Sequence, residues 1–417
     1  MDDIRDVTGR RRTSGKESRV DIDLISPDQW TEGIPHKQFE WLRTNAPVYW
    51  HTSDDPSTPD FWALTLHPDV IAVSRDVERY SSQRGGVFLN NQSDEDRELF
   101  RSIIETDRPE HTRLRRLVNR GFTPRSVAEF GTTYRVAVRN VLASALERGS
   151  FDWVTEVATA LPAYAISELL GVPTQDRPKV TTWTNTISGA NDPEFAQSAE
   201  APLEAATALY TYATKLAQQR RAEPRDDIVT KLITEVDDDA LGEHEFEIFV
   251  LALAVAGNET TRTAMSQGML ALLDHPDQMQ RLRSNAALAG SAADEMIRWS
   301  SPIVYFRRTA TCDLEIHGVT IQENDPVALY YLSANYDGNV FREPYRFDVA
   351  RSPNPHVSFG GGGPHHCLGA HLARLEITML LEELLATTGS IERTGDPQRL
   401  RSSWINGLKH LPVAVMA

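Results

Sequence analysis

The stretch Phe359-Gly360-Gly361-Gly362-Gly363-Pro364-His365-His366-Cys367-Leu368-Gly369 decides how the rest of the chain is read. It joins four consecutive glycines, two histidines and one of only two cysteines in the sequence. Downstream, Leu368, Leu372, Leu375, Met379, Leu380 and Leu384 recur at helical spacing. A glycine-rich loop therefore delivers a thiol to a helix N-terminus, where the dipole and free N–H groups favour a thiolate. Consecutive glycines cost backbone entropy and are easiest to justify where backbone passes close to something flat or bulky.

Several chemistries compete for this stretch. A lone cysteine is often an inert buried hydrophobe. A phosphate-cradling loop would need a Lys-Ser or Lys-Thr pair that is missing. His365, His366, Cys367 and His371 lie close enough in sequence for zinc, but the second half of a zinc motif is absent. A haem iron held by a single cysteine thiolate fits best.

The stretch resembles the haem-binding signature of the cytochrome P-450 family of haem-thiolate monooxygenases: a Phe, glycines, a basic residue two before the cysteine, and Cys-x-Gly. The resemblance implies haem b with Cys367 as its axial metal ligand and His365 as the basic residue. Phe359, Gly360, Gly363 and Gly369 complete the cofactor-binding signature. Phe359 stands eight residues before Cys367, one more than the common spacing. A similar extension is found in actinobacterial enzymes acting on sterol side chains and methyl-branched lipids, which points to a steroid or terpenoid substrate. A polyketide-tailoring oxidase and a non-catalytic haem- or ligand-binding protein are the alternatives.

Composition agrees with a globular protein. The 417 residues are 40% hydrophobic and 24% charged, with a net charge of −16. Such acidity argues against a nucleic-acid partner. No run of 18 apolar residues occurs, so no membrane anchor is expected. Cys312 and Cys367 cannot build a disulfide framework. Both features point to the cytoplasm. Residues 1–20 read as a disordered polar tail, and residues 21–417 as one domain. The resemblance makes that domain mainly α, with small β-sheets enclosing the haem.

Other motifs follow in an order that the family shares. His111 and Arg115 stand at i, i+4 on one helix face, and in the family such a pair meets the haem propionates. Arg308 matches a propionate-binding arginine, with Arg307 as the alternative, because strand alternation turns only one of them inward. Residues 244–274 read as one long buried helix carrying Ala256-Gly257-Asn258-Glu259-Thr260-Thr261. A buried acid beside a hydroxyl needs a reason. A plain local bond from Thr260 to a helix carbonyl is the simple one. By resemblance, Glu259 and Thr260 are the catalytic acid–alcohol pair that handles protons for dioxygen, and Ala256 and Gly257 border the oxygen pocket.

Glu295 and Arg298, with Arg346, resemble a structural ion-pair network of the family. The stretch from 81 to 108 reads as a long loop over the pocket, so Val87 and Phe88 are candidate substrate contacts. Ile303, Val304 and Ile405, the last on a terminal hairpin, are further candidates. The chain carries no fused electron-transfer domain, so the resemblance implies an iron–sulfur ferredoxin and a ferredoxin reductase as partners. Arg115 or Arg116 would help to dock the ferredoxin. The middle of the chain, about 125–240, reads as helices that cover the site without naming their contacts.

Overall fold

The computed structural model describes residues 21–416, except 91, 92, 123, 226 and 235–239. The expected tail at 1–20 lies outside the described residues. The architecture is mainly α, with small sheets at its margins.

The central element is the helix Glu243–Asp274. Its apolar run starts behind Gly242, whose N–H donates to the Glu245 carboxylate at 2.8 Å. Acidic residues in this first turn also suit the positive end of the helix. The helix ends before His275-Pro276, since proline cannot extend it. It packs against Ala160–Leu169, Arg177–Ser188, Ala201–Ala222 and Ala289–Ser300. The largest apolar core surrounds its C-terminal half and includes Met265, Met269 and Leu272 with Leu380 and Leu384. A second core covers the N-terminal half, where Phe246, Val250 and Ala254 meet Ile166, Leu209 and Leu216.

A five-stranded sheet flanks the helices. Its order is Val48–His51, Phe61–Leu64, Pro326–Tyr330, Tyr305–Ala310, Tyr80–Ser81. Only the Phe61–Leu64 and Pro326–Tyr330 pair is parallel. A smaller sheet joins Ser150–Asp152, Pro412–Met416 and Ser390–Arg393. The expected loop from 81 to 108 holds a short helix, Asp94–Leu99, and a turn of 3-10 helix, Ile103–Glu105.

The ion-pair network takes a different third member from the expected one. Arg298 donates to both Glu295 oxygens, at 2.7 and 2.8 Å, and both side chains are fully buried. Arg351, not Arg346, completes it, reaching Glu295 at 3.0 and 3.1 Å. The Arg346 side chain turns outward to Glu343 while its carbonyl accepts from Arg351 at 2.6 Å. Tyr336 covers the Arg298 guanidinium with its ring at 5.3 Å and donates to the Trp299 carbonyl.

Candidate active site

The cysteine loop is held from both sides. The Cys367 N–H donates to the Phe359 carbonyl at 3.0 Å, and the Gly360 N–H to Val357 at 2.8 Å. The glycines of the loop lie against the helix His67–Arg75. A Cβ on Gly361 would lie 2.7 Å from the Ser74 hydroxyl oxygen, and one on Gly363 2.6 Å from the Ser74 carbonyl. Gly363 also has φ +79°, so only glycine lets the loop lie this close. Arg75 fixes the contact by donating to the Gly361 carbonyl at 3.2 Å.

Helix Ala370–Thr387 begins after Gly369. Burial pushes the Cys367 thiol pKa up, opposed by the Gly369 N–H and by Arg115 and Arg374. The expected bias to thiolate is thus outweighed by desolvation in the protein alone. Cys367 nevertheless has accessible surface. Ala256, midway along the central helix, is likewise exposed between buried or half-buried neighbours. Leu368 packs into the cluster that holds Val250 and Ala254 of that helix.

Four basic side chains gather beside the loop. The rings of His111 and His365 stand 4.1 Å apart. Burial lowers the His111 pKa to about 4, with Arg115 and Arg108 adding to the effect. Burial, then Arg308, His111 and Arg115, lowers that of His365 to about 2. Arg308 is 4% exposed. The nearby acid, Asp107, is engaged by the Ser81 hydroxyl and the Ser82 N–H. Arg307 is buried as well, at 8% exposed, so alternation does not leave one of the two outside. Arg308 turns toward the histidines, whereas Arg307 turns under Gly85, its N–H donating to the Val87 carbonyl at 2.8 Å. Burial, then Arg97, pulls its pKa down to about 10.

The matching family model is Cytochrome P450, over residues 164–388. A steroid C26-monooxygenase of Mycobacterium tuberculosis is 40% identical across 94% of this chain and 92% of its own length. This chain belongs to the cytochrome P450 family. A methyl-branched lipid omega-hydroxylase of Mycobacterium tuberculosis is also 40% identical, over 94% of both chains. The solved structure of a Mycobacterium marinum cytochrome P450 in complex with pseudoionone aligns with TM-score 0.88 and 35% identity, covering 96% of this chain and all of that one. The protein is therefore a haem-dependent monooxygenase that uses dioxygen and takes apolar substrates.

The residues present fit the haem. The Arg115 and Arg308 guanidinium groups are costly to hold here without anions; two propionates supply them, and the neutral rings of His111 and His365 can donate to the same oxygens. The four sequence neighbours His365, His366, Cys367 and His371 do not form a second metal site. Among the described residues no group of three or more His, Cys, Asp or Glu could hold a metal ion. No described helix is long and apolar enough to cross a membrane.

On the central helix the Thr260 hydroxyl donates to the Ala256 carbonyl at 2.7 Å. Glu259 is buried and ion-paired with Arg262, one oxygen without a hydrogen-bond partner. Arg262 in turn donates to Asn185 at 2.9 Å, and Asn258 donates to Thr184 at 2.8 Å. Gly257 has a packing role beside the one expected of it. A Cβ there would lie 2.2 Å from Ile166 Cδ1, so Gly257 serves the close packing of two helices.

The pocket wall also differs from expectation. Val87, Val304 and Ile405 are 1%, 0% and 1% exposed, so they pack into the core and offer no surface to a substrate. Ile303 and Phe88 are half-buried. Ile303 pairs with Ile405 in an isolated bridge, and the Val304 N–H donates to the Trp404 carbonyl at 2.9 Å. Phe306 and Trp404 were not anticipated. The Phe88 ring meets them at 6.2 and 5.0 Å. Alternation from Arg308 back to Phe306 was the available signal for one of them.

Proposed function

We propose that the protein hydroxylates the terminal carbon of a branched aliphatic chain on a large apolar molecule, of the steroid or methyl-branched lipid class. Two relatives of equal identity carry this reading, because both names, C26 and omega, place the hydroxyl at a chain end. The half-buried aromatic group Phe88, Phe306 and Trp404 suits an apolar body. Haem bound at Cys367 supplies dioxygen activation, with thiolate donation favouring O–O cleavage. Balance requires the substrate C–H, dioxygen, two electrons and two protons to give the alcohol and water.

The chain's residues bind, orient and move protons. Cys367 Sγ holds the iron, and the Gly369 N–H stabilises its charge. His111, Arg115, Arg308 and His365 take the propionates, the two neutral histidines as hydrogen-bond donors. Phe359 and Gly360 shape the loop beside the cofactor. Ala256 leaves room for dioxygen. Thr260 Oγ1, already oriented by its bond to Ala256, accepts a hydrogen bond and passes a proton on. Glu259 supplies protons once its pairing with Arg262 is exchanged for water.

Electrons come from a separate ferredoxin and its reductase. Exposed Arg116 lies on the helix that carries Arg115 and suits an acidic partner, so docking weakens with salt. Weak dependence on ionic strength would count against that partner.

The test is titration of holoenzyme with steroids that keep or lack the aliphatic side chain, followed by product analysis under isotopically labelled dioxygen. A spin-state shift confined to side-chain-bearing steroids, or to branched lipids, with label at the chain end supports the reading. Oxygenation of the ring nucleus overturns it.

A further inference from the structure

Behind the cysteine loop, Phe359 is enclosed by charges that the reaction itself does not use. The Arg374 guanidinium lies over the ring, 4.5 Å from its centroid. Its Nε donates to Asp294 Oδ1 at 2.6 Å. The same carboxylate oxygen meets His356 Nε2 at 3.4 Å, and the His356 ring lies 5.6 Å from that of Phe359. Arg374 comes from the helix that follows Cys367, and Asp294 from the helix whose next residue, Glu295, is locked by Arg298 and Arg351. The guanidinium is therefore fixed by two independently anchored elements. Phe359 is in turn tied to Cys367 through its carbonyl.

A guanidinium on an aromatic face is an electrostatic contact. A fixed cation near a redox centre favours the state with one more electron, and a fixed anion opposes it. Outer-shell partners tune metal sites in this way. The Asp294–Arg374 pair presents both signs at once, with the cation facing the ring. We infer that Arg374, oriented by Asp294, is a positioning residue that raises the reduction potential of the haem by acting through Phe359 on the Cys367 side. This rests on Cys367 being the iron ligand.

The experiment is spectroelectrochemical titration of the ferric–ferrous couple in holoenzyme without any electron donor, at low and high salt. Arg374→Met should lower the midpoint potential, Arg374→Lys should leave it near wild type, and Asp294→Asn should raise it. The shifts should shrink with salt, because both side chains are partly exposed. The carbon monoxide spectrum of each reduced variant reports separately on the cysteine ligand. An unchanged potential in Arg374→Met with the red-shifted band intact overturns the inference while leaving the haem-thiolate reading standing. Shifts of the same sign in Arg374→Met and Asp294→Asn also overturn it, since a purely structural loss would act that way.

Discussion

Around Phe359–Gly369 the site is fixed by directional bonds to named partners, whereas the side chains of Phe88, Phe306 and Trp404 meet one another by ring packing. The first region combines Cys367 N–H to Phe359, Arg75 to Gly361 and two glycines pressed on the Ser74 backbone and hydroxyl. The second has rings 5.0 to 6.2 Å apart. A metal ligand must be placed to a fraction of an ångström, and hydrogen bonds and backbone contact do that. An apolar substrate needs area and shape, which many side chains supply equally well. The cysteine side should therefore be intolerant of small changes, and the aromatic side forgiving.

The largest expected effect lies in the ion pairs beneath the loop. Glu295→Gln leaves two buried arginines without their anion and should destabilise by about 3–5 kcal/mol. Arg346→Leu should cost about 1 kcal/mol or less, being an exposed pair. Urea denaturation measures both, and equal costs would restore Arg346 as the network's third member. Next comes Gly363→Ala, which meets a left-handed penalty of about 1–2 kcal/mol and an overlap penalty of about 1–3 kcal/mol. Haem retention during thermal melting reports it. Gly389→Ala, with open space at its Cβ, should be neutral, and similar losses at both would remove the special status of the loop.

Phe88→Ala should weaken substrate binding by roughly 0.5–1.5 kcal/mol, read as an increased Kd in the spin-state titration with little change in stability. A loss as severe as that of Gly363→Ala would erase the contrast between the two regions. A further effect concerns pH. Burial, then Arg43, Arg399 and Arg298, lowers the pKa of His36 from 6.5 to about 4. The unfolded chain then binds its proton at higher pH than the native one. Stability should fall as pH drops from 6.5 toward 4, and His36→Gln should flatten that slope. A steeper slope in the variant would contradict the sign.

The same contrast explains what could be read before the structure. Cys367, His365, His111, Arg115 and Arg308 are legible because each must be a particular chemical type, and the structure brings the four basic ones together beside the loop. At Gly257 the sequence shows that a glycine is required without showing what approaches it; Ile166 does. Arg351 was missed because a long side chain reaches Glu295 from a loop of irregular geometry. Val87, Val304 and Ile405 were proposed from position, yet neighbours on a strand or hairpin alternate between core and pocket. In the middle helices, residues such as Thr184 and Asn185 meet Asn258 and Arg262. No local pattern announces such contacts between distant helices.

The central claim is a haem iron ligated by Cys367. Its most direct test is the absorption spectrum of the reduced holoenzyme bound to carbon monoxide, for wild type and Cys367→Ala. The account requires a strongly red-shifted Soret band in the wild type and its loss in the variant. A haem-loaded wild type without that band, or a Cys367→Ala variant that keeps it, would contradict the account.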